Sequence, residues 1–321
     1  MDIRRVHPQL RAMARRAPRL NLDSRLVRFV ARLGSRYLVP RAKVSGVRVR
    51  DVRDGDVRAR LYVPDRPSGA AVLWIHGGGM VIGAPQQDDR FCALLASRLG
   101  ATVVSADYRL APEHPHPAPV NDSHATWDWL LAHATALGVD PARIAIGGAS
   151  AGGGIAAALT ARLHDEQHTQ PAAQWLLYPM LDDRTATRRE LDEVDHFVWN
   201  NTANRIGWTA LLNDLTTPGS TDVPSAAAPA RREDLSGLPA TWIGVGDIDL
   251  FYQEDATYAQ RLRAAGVTTA FEVLQGAPHG FESLAPKAPP VRTLLDTGLN
   301  WLDKALQPTD DPTSGYPSAS S

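Results

Sequence analysis

One serine stands among small residues in "GGASAGGG", and its surroundings decide what its hydroxyl can do. The pentapeptide Gly148-Ala149-Ser150-Ala151-Gly152 fits G-x-S-x-G. It follows the strand-like "RIAIGG" and opens the helix-like "IAAALTARL". In that setting the small residues let the backbone turn sharply and leave the serine Oγ clear at the sheet edge. The helix N-terminus then aims N–H groups and a positive dipole end at any anion formed there. A glycine-rich turn with a serine N-cap has the same composition, so the chemistry depends on further residues. The first of these are His76-Gly77-Gly78-Gly79 in "WIHGGGMVIG", straight after another apolar strand-like run. Glycine N–H groups of such a loop, joined by the N–H of Ala151, can converge on a tetrahedral oxyanion.

A nucleophilic serine needs a base, and the base needs an acid, in the chain order Ser, Asp/Glu, His. Among ten histidines, His279 in "GAPHGF" lies beyond Ser150 in a loop after a late strand-like run. Upstream, "GVGDIDLF" offers Asp247 and Asp249. The intervals leave room for a strand plus an insertion before the acid, and for one helix and one strand after it. This set predicts acyl transfer through an acyl-enzyme, with no metal and no organic cofactor.

The elements that must hold these residues alternate. Strand-like runs begin at Val47, Val57, Ala71, Ala101, Arg143, Ala173, Thr241 and Thr269, with helical patterns such as "DDRFCALLASRLG" and "DATYAQRLRAAG" between them. The first two runs alternate apolar and charged residues, as a half-exposed antiparallel pair does. The later ones are nearly continuously apolar, as strands buried on both faces are. The alternation predicts an α/β fold with a mostly parallel eight-stranded sheet flanked by helices. Two segments break the rhythm. Residues 1–42 read as helix, and 182–232 lack a strand run but hold the aromatic "HFVWNNTANRIGWTALLNDL". The expected organisation is N-terminal cap helices over 1–42, a catalytic domain over 43–181 and 233–307, a cap insertion over 182–232, and a Pro/Ser-rich disordered tail over 308–321.

Composition narrows the partners. The chain has 321 residues, a formal charge of −1 and 44% hydrophobic residues, which fits a large core and gives no sign of nucleic acid as a partner. No run reaches the length of a membrane span. The first twenty residues lack a secretory h-region and read instead as an exposed, Arg-rich amphipathic helix. The single cysteine, Cys92, reads as a small core residue in a reducing compartment, so the cytoplasm is the expected location.

The stretches "HGGGMVIG", "DYRLAPEHPHPAPVND", "GGASAGGG", "GDIDLF" and "GAPHGF" follow one another in the order of a known family. The chain resembles carboxylesterases of the hormone-sensitive-lipase group of α/β-hydrolases, bacterial lipolytic family IV. The resemblance implies Ser150 as nucleophile, Asp249 as triad acid with Asp247 supporting, His279 as base, and Gly77, Gly78 and Ala151 as oxyanion donors. It also implies a small-molecule ester substrate of short to medium acyl length, a helical cap and, often, a homodimer. The absence of any long apolar surface helix suited to a lipid interface points to short chains as well. Asp107, Tyr108, Arg109 and Glu113 belong to the family signature and read as a bracing network under the active site. One departure is Ala149, where the family usually carries Asp, an exchange that bears on loop support rather than on the chemistry.

Other patterns compete. "HDEQH" spaces His164 and His168 like a metal pair, but a zincin needs Glu directly after the first His, and Asp165 stands there. A solvated helix end is the reading taken. "GVGDID" lacks the third glycine and the helix of a dinucleotide site, and no phosphate loop is present. An amidase or carbamate hydrolase would share the same triad. A non-catalytic small-ligand receptor on the same fold would tend to lack a triad member, and all three candidates are present.

Overall fold

The protein, a computed structural model, is described over residues 1–17, 20–39 and 44–308. The expected tail therefore lies outside the described residues except for Pro308, as does the boundary between the N-terminal segment and the catalytic domain. Eight strands form one sheet: β1 Val47–Asp54, β2 Val57–Pro64, β3 Ala71–Ile75, β4 Thr102–Ala106, β5 Ile144–Ala149, β6 Ala173–Leu177, β7 Ala240–Gly246 and β8 Thr269–Leu274. Their spatial order is β1-β2-β4-β3-β5-β6-β7-β8. β2 runs antiparallel to both neighbours, and every later pairing is parallel.

Each expected strand run falls on an observed strand. Burial departs from the pattern at two of them. β2 is mostly buried because it lies between β1 and β4, so its Arg60 is taken inside and held by Asp89 and Asp51. β8 is only partly buried along its length, because it is the sheet's far edge.

Helices cover both faces, as parallel strands require. In chain order they are α1 Arg11–Arg16, α2 Arg25–Leu33, α3 Asp89–Leu99, α4 Ala118–Ala132, α5 Ala134–Leu137, α6 Ala151–Asp165, α7 Asn201–Leu212, α8 Tyr252–Ala264, α9 Phe281–Leu284 and α10 Pro289–Ala305. α3 and α10 close one core with Trp74, Trp175 and Trp242 of the sheet, and Cys92 is fully buried there. α4, α6, α7 and α8 close the other, around Leu73, Ile146 and Ile243.

The N-terminal segment is not the exposed helix expected of it. It forms short 3₁₀ turns at Ile3–Arg5 and Pro8–Leu10 before α1. Pro8 lacks an N–H and cannot continue a helix from upstream. Val6, Leu10 and Ala14 are buried against the α3/α10 core, and the His7 N–H donates to Gly276 O at 2.9 Å.

α2 lies where helix was expected, but its amphipathic faces are reversed relative to an ordinary surface helix. Leu26, Phe29, Val30 and Leu33 share one face by their spacing and are 69%, 58%, 55% and 41% exposed. The arginine face turns inward. Arg32 donates to Val81 O, Ala111 O and Glu113, and Arg36, in the helical turn Gly34–Leu38 that follows α2, makes a bidentate pair with Asp107 at 2.9 and 2.7 Å. An apolar surface helix thus exists, though of nine residues. Satisfying guanidinium groups on fixed carbonyls and carboxylates outweighs burying the apolar stripe. Among the described residues no helix is long and apolar enough to cross a membrane.

Candidate active site

Parallel pairing places the C-terminal ends of β3, β5, β6, β7 and β8 along one edge, and the site is built there. The register sets Ile75 beside Gly148, Gly148 beside Leu176, Leu177 beside Gly244 and Gly246 beside Leu274. Ser150 occupies the turn between β5 and α6 with φ 56° and ψ −123°, a backbone state that side-chain-bearing residues rarely hold. The Ser150 N–H donates to Leu177 O at 2.9 Å, and Ser150 O accepts from Gly154 and Met180. The flanking glycines are there because nothing larger fits. A Cβ on Gly148 would overlap the Gly152 carbonyl, and one on Gly152 the Ile75 carbonyl.

Ser150 Oγ lies 2.8 Å from His279 Nε2, and His279 Nδ1 lies 2.9 Å from Asp249 Oδ2. The second carboxylate oxygen of Asp249 accepts from the Phe251 N–H at 2.9 Å. All three residues are buried. Asp247 is turned elsewhere: its Oδ1 accepts the Gly276 N–H at 2.6 Å, tying the β7 turn to the chain leading into His279. The structure thus brings together Ser150, Asp249 and His279 and leaves Asp247 outside the chain of contacts.

Gly77 packs directly on this turn, a Cβ built on it lying 3.3 Å from Ser150 Cβ. Gly78 has φ +124°, open to glycine alone, and a Cβ there would overlap Ile82 O. Gly77 and Gly78 line the cavity that holds Ser150, and Ala151 is the first residue of α6. His76 is fully buried and stacked on Tyr108, whose hydroxyl donates to His76 O at 2.9 Å. Burial pushes the His76 pKa down to about 4, so the ring is neutral. Of the signature residues read as bracing the site, only Tyr108 reaches this loop. Asp107 and Glu113 hold Arg36 and Arg32 from the N-terminal segment, and Arg109 pairs with Asp122.

The cavity has a volume of about 540 Å³. Its walls include residues that the sequence did not single out: Asp88, Tyr178, Trp199 and Glu282. Tyr178 holds φ +35° at the end of β6, its ring 4.5 Å from that of His279, and its hydroxyl donates to Glu282. Burial, and then the charge of Asp88, push the Glu282 pKa up to about 8. Asp88 accepts from Trp74 Nε1 at 2.8 Å, and burial lifts its pKa to about 6. Trp199 stands over Gly79, where a Cβ would overlap its ring. Position alone could have flagged Tyr178, which ends a strand beside the serine strand, and Glu282, three residues after His279. Ala149 is a buried residue of the cavity wall, and the cavity carboxyls are those of Asp88 and Glu282. A larger groove of about 1080 Å³ between Asp182, Arg231 and Arg261 contains none of the triad candidates.

Comparison with known proteins places the fold in a family. Residues 72–283 match the model of a family described as alpha/beta hydrolase fold. The chain is 34% identical over 251 residues to esterase LipI of Mycobacterium tuberculosis, covering 76% of this chain and 77% of that protein. Among solved structures, a bacterial heroin esterase superposes with TM-score 0.88 at 34% identity, covering 95% of this chain and 99% of that one. An esterase from the bacterial hormone-sensitive lipase family superposes with TM-score 0.77 at 29% identity, over 94% and 99% of the two chains. With its eight-stranded sheet and a serine–histidine–aspartate contact chain at the strand ends, the chain belongs to the α/β-hydrolase family, as a carboxylic ester hydrolase of the hormone-sensitive-lipase group.

Proposed function

We propose that Ser150, His279 and Asp249 form the catalytic triad, and that Gly77, Gly78 and Ala151 supply the oxyanion N–H groups. His279 Nε2 takes the proton of Ser150 Oγ as the oxygen attacks the ester carbonyl. The carbonyl oxygen becomes an oxyanion held by the backbone N–H groups. His279 then gives its proton to the departing alcohol, leaving an acyl-serine. A water deprotonated by His279 attacks the acyl-serine, and the acid leaves as the proton returns to Ser150. Asp249 holds the imidazole in the tautomer that keeps Nε2 free to accept, and stabilises the imidazolium. The observation carrying this reading is the unbroken Ser150–His279–Asp249 contact chain of 2.8 and 2.9 Å.

The substrate is a small-molecule ester of short to medium acyl length. The cavity volume of about 540 Å³, typical of small-ligand pockets, supports it. Residues 1–42 and 182–232 act as the cap, a reading supported by Leu22 and Val39 from the first segment and Val198, Trp199 and Ala203 from the second on the cavity wall. The buried thiol of Cys92 fits a reducing, cytoplasmic setting. The open edge of β8 offers backbone groups for pairing with a second copy as a homodimer. Ser150→Ala is the deciding test. It should fold normally, lose turnover by a factor of about 10⁶ and lose labelling by a fluorophosphonate. Near-normal ester hydrolysis by that variant would remove Ser150 from the mechanism.

A further inference from the structure

The helix-spaced pair His164 and His168 does not act together. The His164 ring packs against Gly237, where a Cβ would meet its Cε1 at 2.6 Å. His168 turns the other way, toward His124 and Asp128 of α4. One ligand-type atom from each of His124, Asp128 and His168 lies within 4.8 Å of the other two. His168 Nε2 is 3.3 Å from Asp128 Oδ1, and His124 Nε2 is 3.8 Å from the same oxygen. A second carboxylate oxygen stands beside the group, Glu166 Oε2 being 3.7 Å from His124 Nε2.

These separations are near those of a coordination polyhedron, and the two contacts of His124 are too long for hydrogen bonds. Metal–ligand distances of about 2.0–2.1 Å in a tetrahedral zinc site put neighbouring ligand atoms about 3.3–3.4 Å apart. The His168–Asp128 edge here has that length, 3.3 Å, and the His124–Asp128 edge is a little wider, 3.8 Å. His124 Nε2 is buried and has no hydrogen-bond partner among the described residues, although it faces two carboxylates. A buried ring nitrogen left without a partner is costly, and a metal would satisfy it.

The backbone fixes the geometry. His124 and Asp128 are one helical turn apart on the same face of α4. His168 is set by a Schellman cap on α6, with its N–H on Leu163 O at 2.9 Å, the Gln167 N–H on His164 O at 3.1 Å, and Gln167 at φ +53°. The cation facing the cluster, Arg162, is engaged by Glu166 Oε1 and Asn121 Oδ1 at 2.8 and 2.7 Å.

We propose that His124, Asp128 and His168 form a structural site for a divalent metal of the zinc class, completed by water and tying α4 to the turn that ends α6. The ligand set of two imidazoles and one carboxylate suits zinc or cobalt rather than calcium or magnesium. The site is separate from the ester-cleaving cavity and predicts no role in the chemistry.

The test uses the full chain, stripped with EDTA and dialysed. Zn²⁺ is titrated by calorimetry, and Co²⁺ by the visible absorption that tetrahedral cobalt develops. The expected result is one equivalent bound and a raised thermal midpoint with zinc. His124→Ala and His168→Ala should each weaken binding at least tenfold, about the least that losing even an outer-shell partner costs. His164→Ala should bind as the wild type does, and ester hydrolysis should be unchanged in all three. If His124→Ala fails to fold, Asp128→Asn and His168→Ala, both changed at surface-accessible side chains, carry the test. Absence of stoichiometric zinc binding, or undiminished binding in His168→Ala, overturns the proposal.

Discussion

Glu282→Gln should stabilise the protein, and by an amount that grows with pH. Glu282 is buried in the cavity wall with its carboxyl facing the charge of Asp88, and its pKa is pushed from 4.5 up to about 8. Below about pH 4.5 the folded and unfolded chains both hold this proton, so the group costs nothing. Between about 4.5 and 8 the unfolded chain releases the proton while the folded one keeps it. The native state then binds more protons, and stability falls as pH rises. Above about 8 both forms are ionised and the loss is complete. At 1.36 kcal/mol per pH unit the full interval sets a ceiling of about 5 kcal/mol. Relaxation of the cavity and coupling to Asp88 should reduce the observed figure to about 2–3 kcal/mol. Glutamine keeps an acceptor for the Tyr178 hydroxyl but has no proton to lose. Melting curves of the two proteins from pH 5 to 9 should therefore diverge, with the variant about 4–9 °C ahead at the alkaline end relative to the acid end. Ionised Glu282 would also oppose a developing oxyanion nearby, so wild-type kcat/KM should decline above about pH 8 where the variant's does not. Two melting profiles separated by a constant offset would show that Glu282 does not titrate as its burial implies.

Three further outcomes follow from the site and its cover. Asp249→Asn should lower kcat by about 10⁴ with the fold intact, whereas Asp247→Asn, which retains an acceptor for the Gly276 N–H, should cost less than tenfold; steady-state kinetics on a p-nitrophenyl ester compares them, and the reverse ranking would exchange their roles. Arg36→Ala removes both bonds to Asp107 and should release the N-terminal segment, seen as faster limited proteolysis before residue 44 and a raised KM with kcat less affected; unchanged proteolysis and kinetics would show that this pair does not hold the cap. Acetyl to octanoyl esters should be cleaved faster than palmitoyl esters, and an inverted series with activation by emulsified lipid would mean that the exposed apolar face of α2 engages a lipid interface.

Local pattern carries the framework of this protein. Apolar runs of strand length, glycines where the backbone must pass close to itself, and the order of Ser150, Asp249 and His279 all depend on neighbours in the chain, so the sheet and the triad candidates are legible from residue types and spacing. Tertiary structure decides what depends on distant partners. Glu282 is an unremarkable acid in "HGFESL" until Tyr178 and Asp88, from other loops, enclose it. The arginines of α2 and of the turn after it would be the solvated face of an ordinary amphipathic helix, and only the carboxylates and carbonyls of the "DYRLAPEH" stretch and its neighbours make inward the better direction. Helical spacing pairs His164 with His168, yet the cap that ends α6 turns them apart and delivers His168 to His124 and Asp128. Periodicity is a property of a few consecutive residues, whereas burial, and with it charge state and partner choice, is set by which segments the fold brings together.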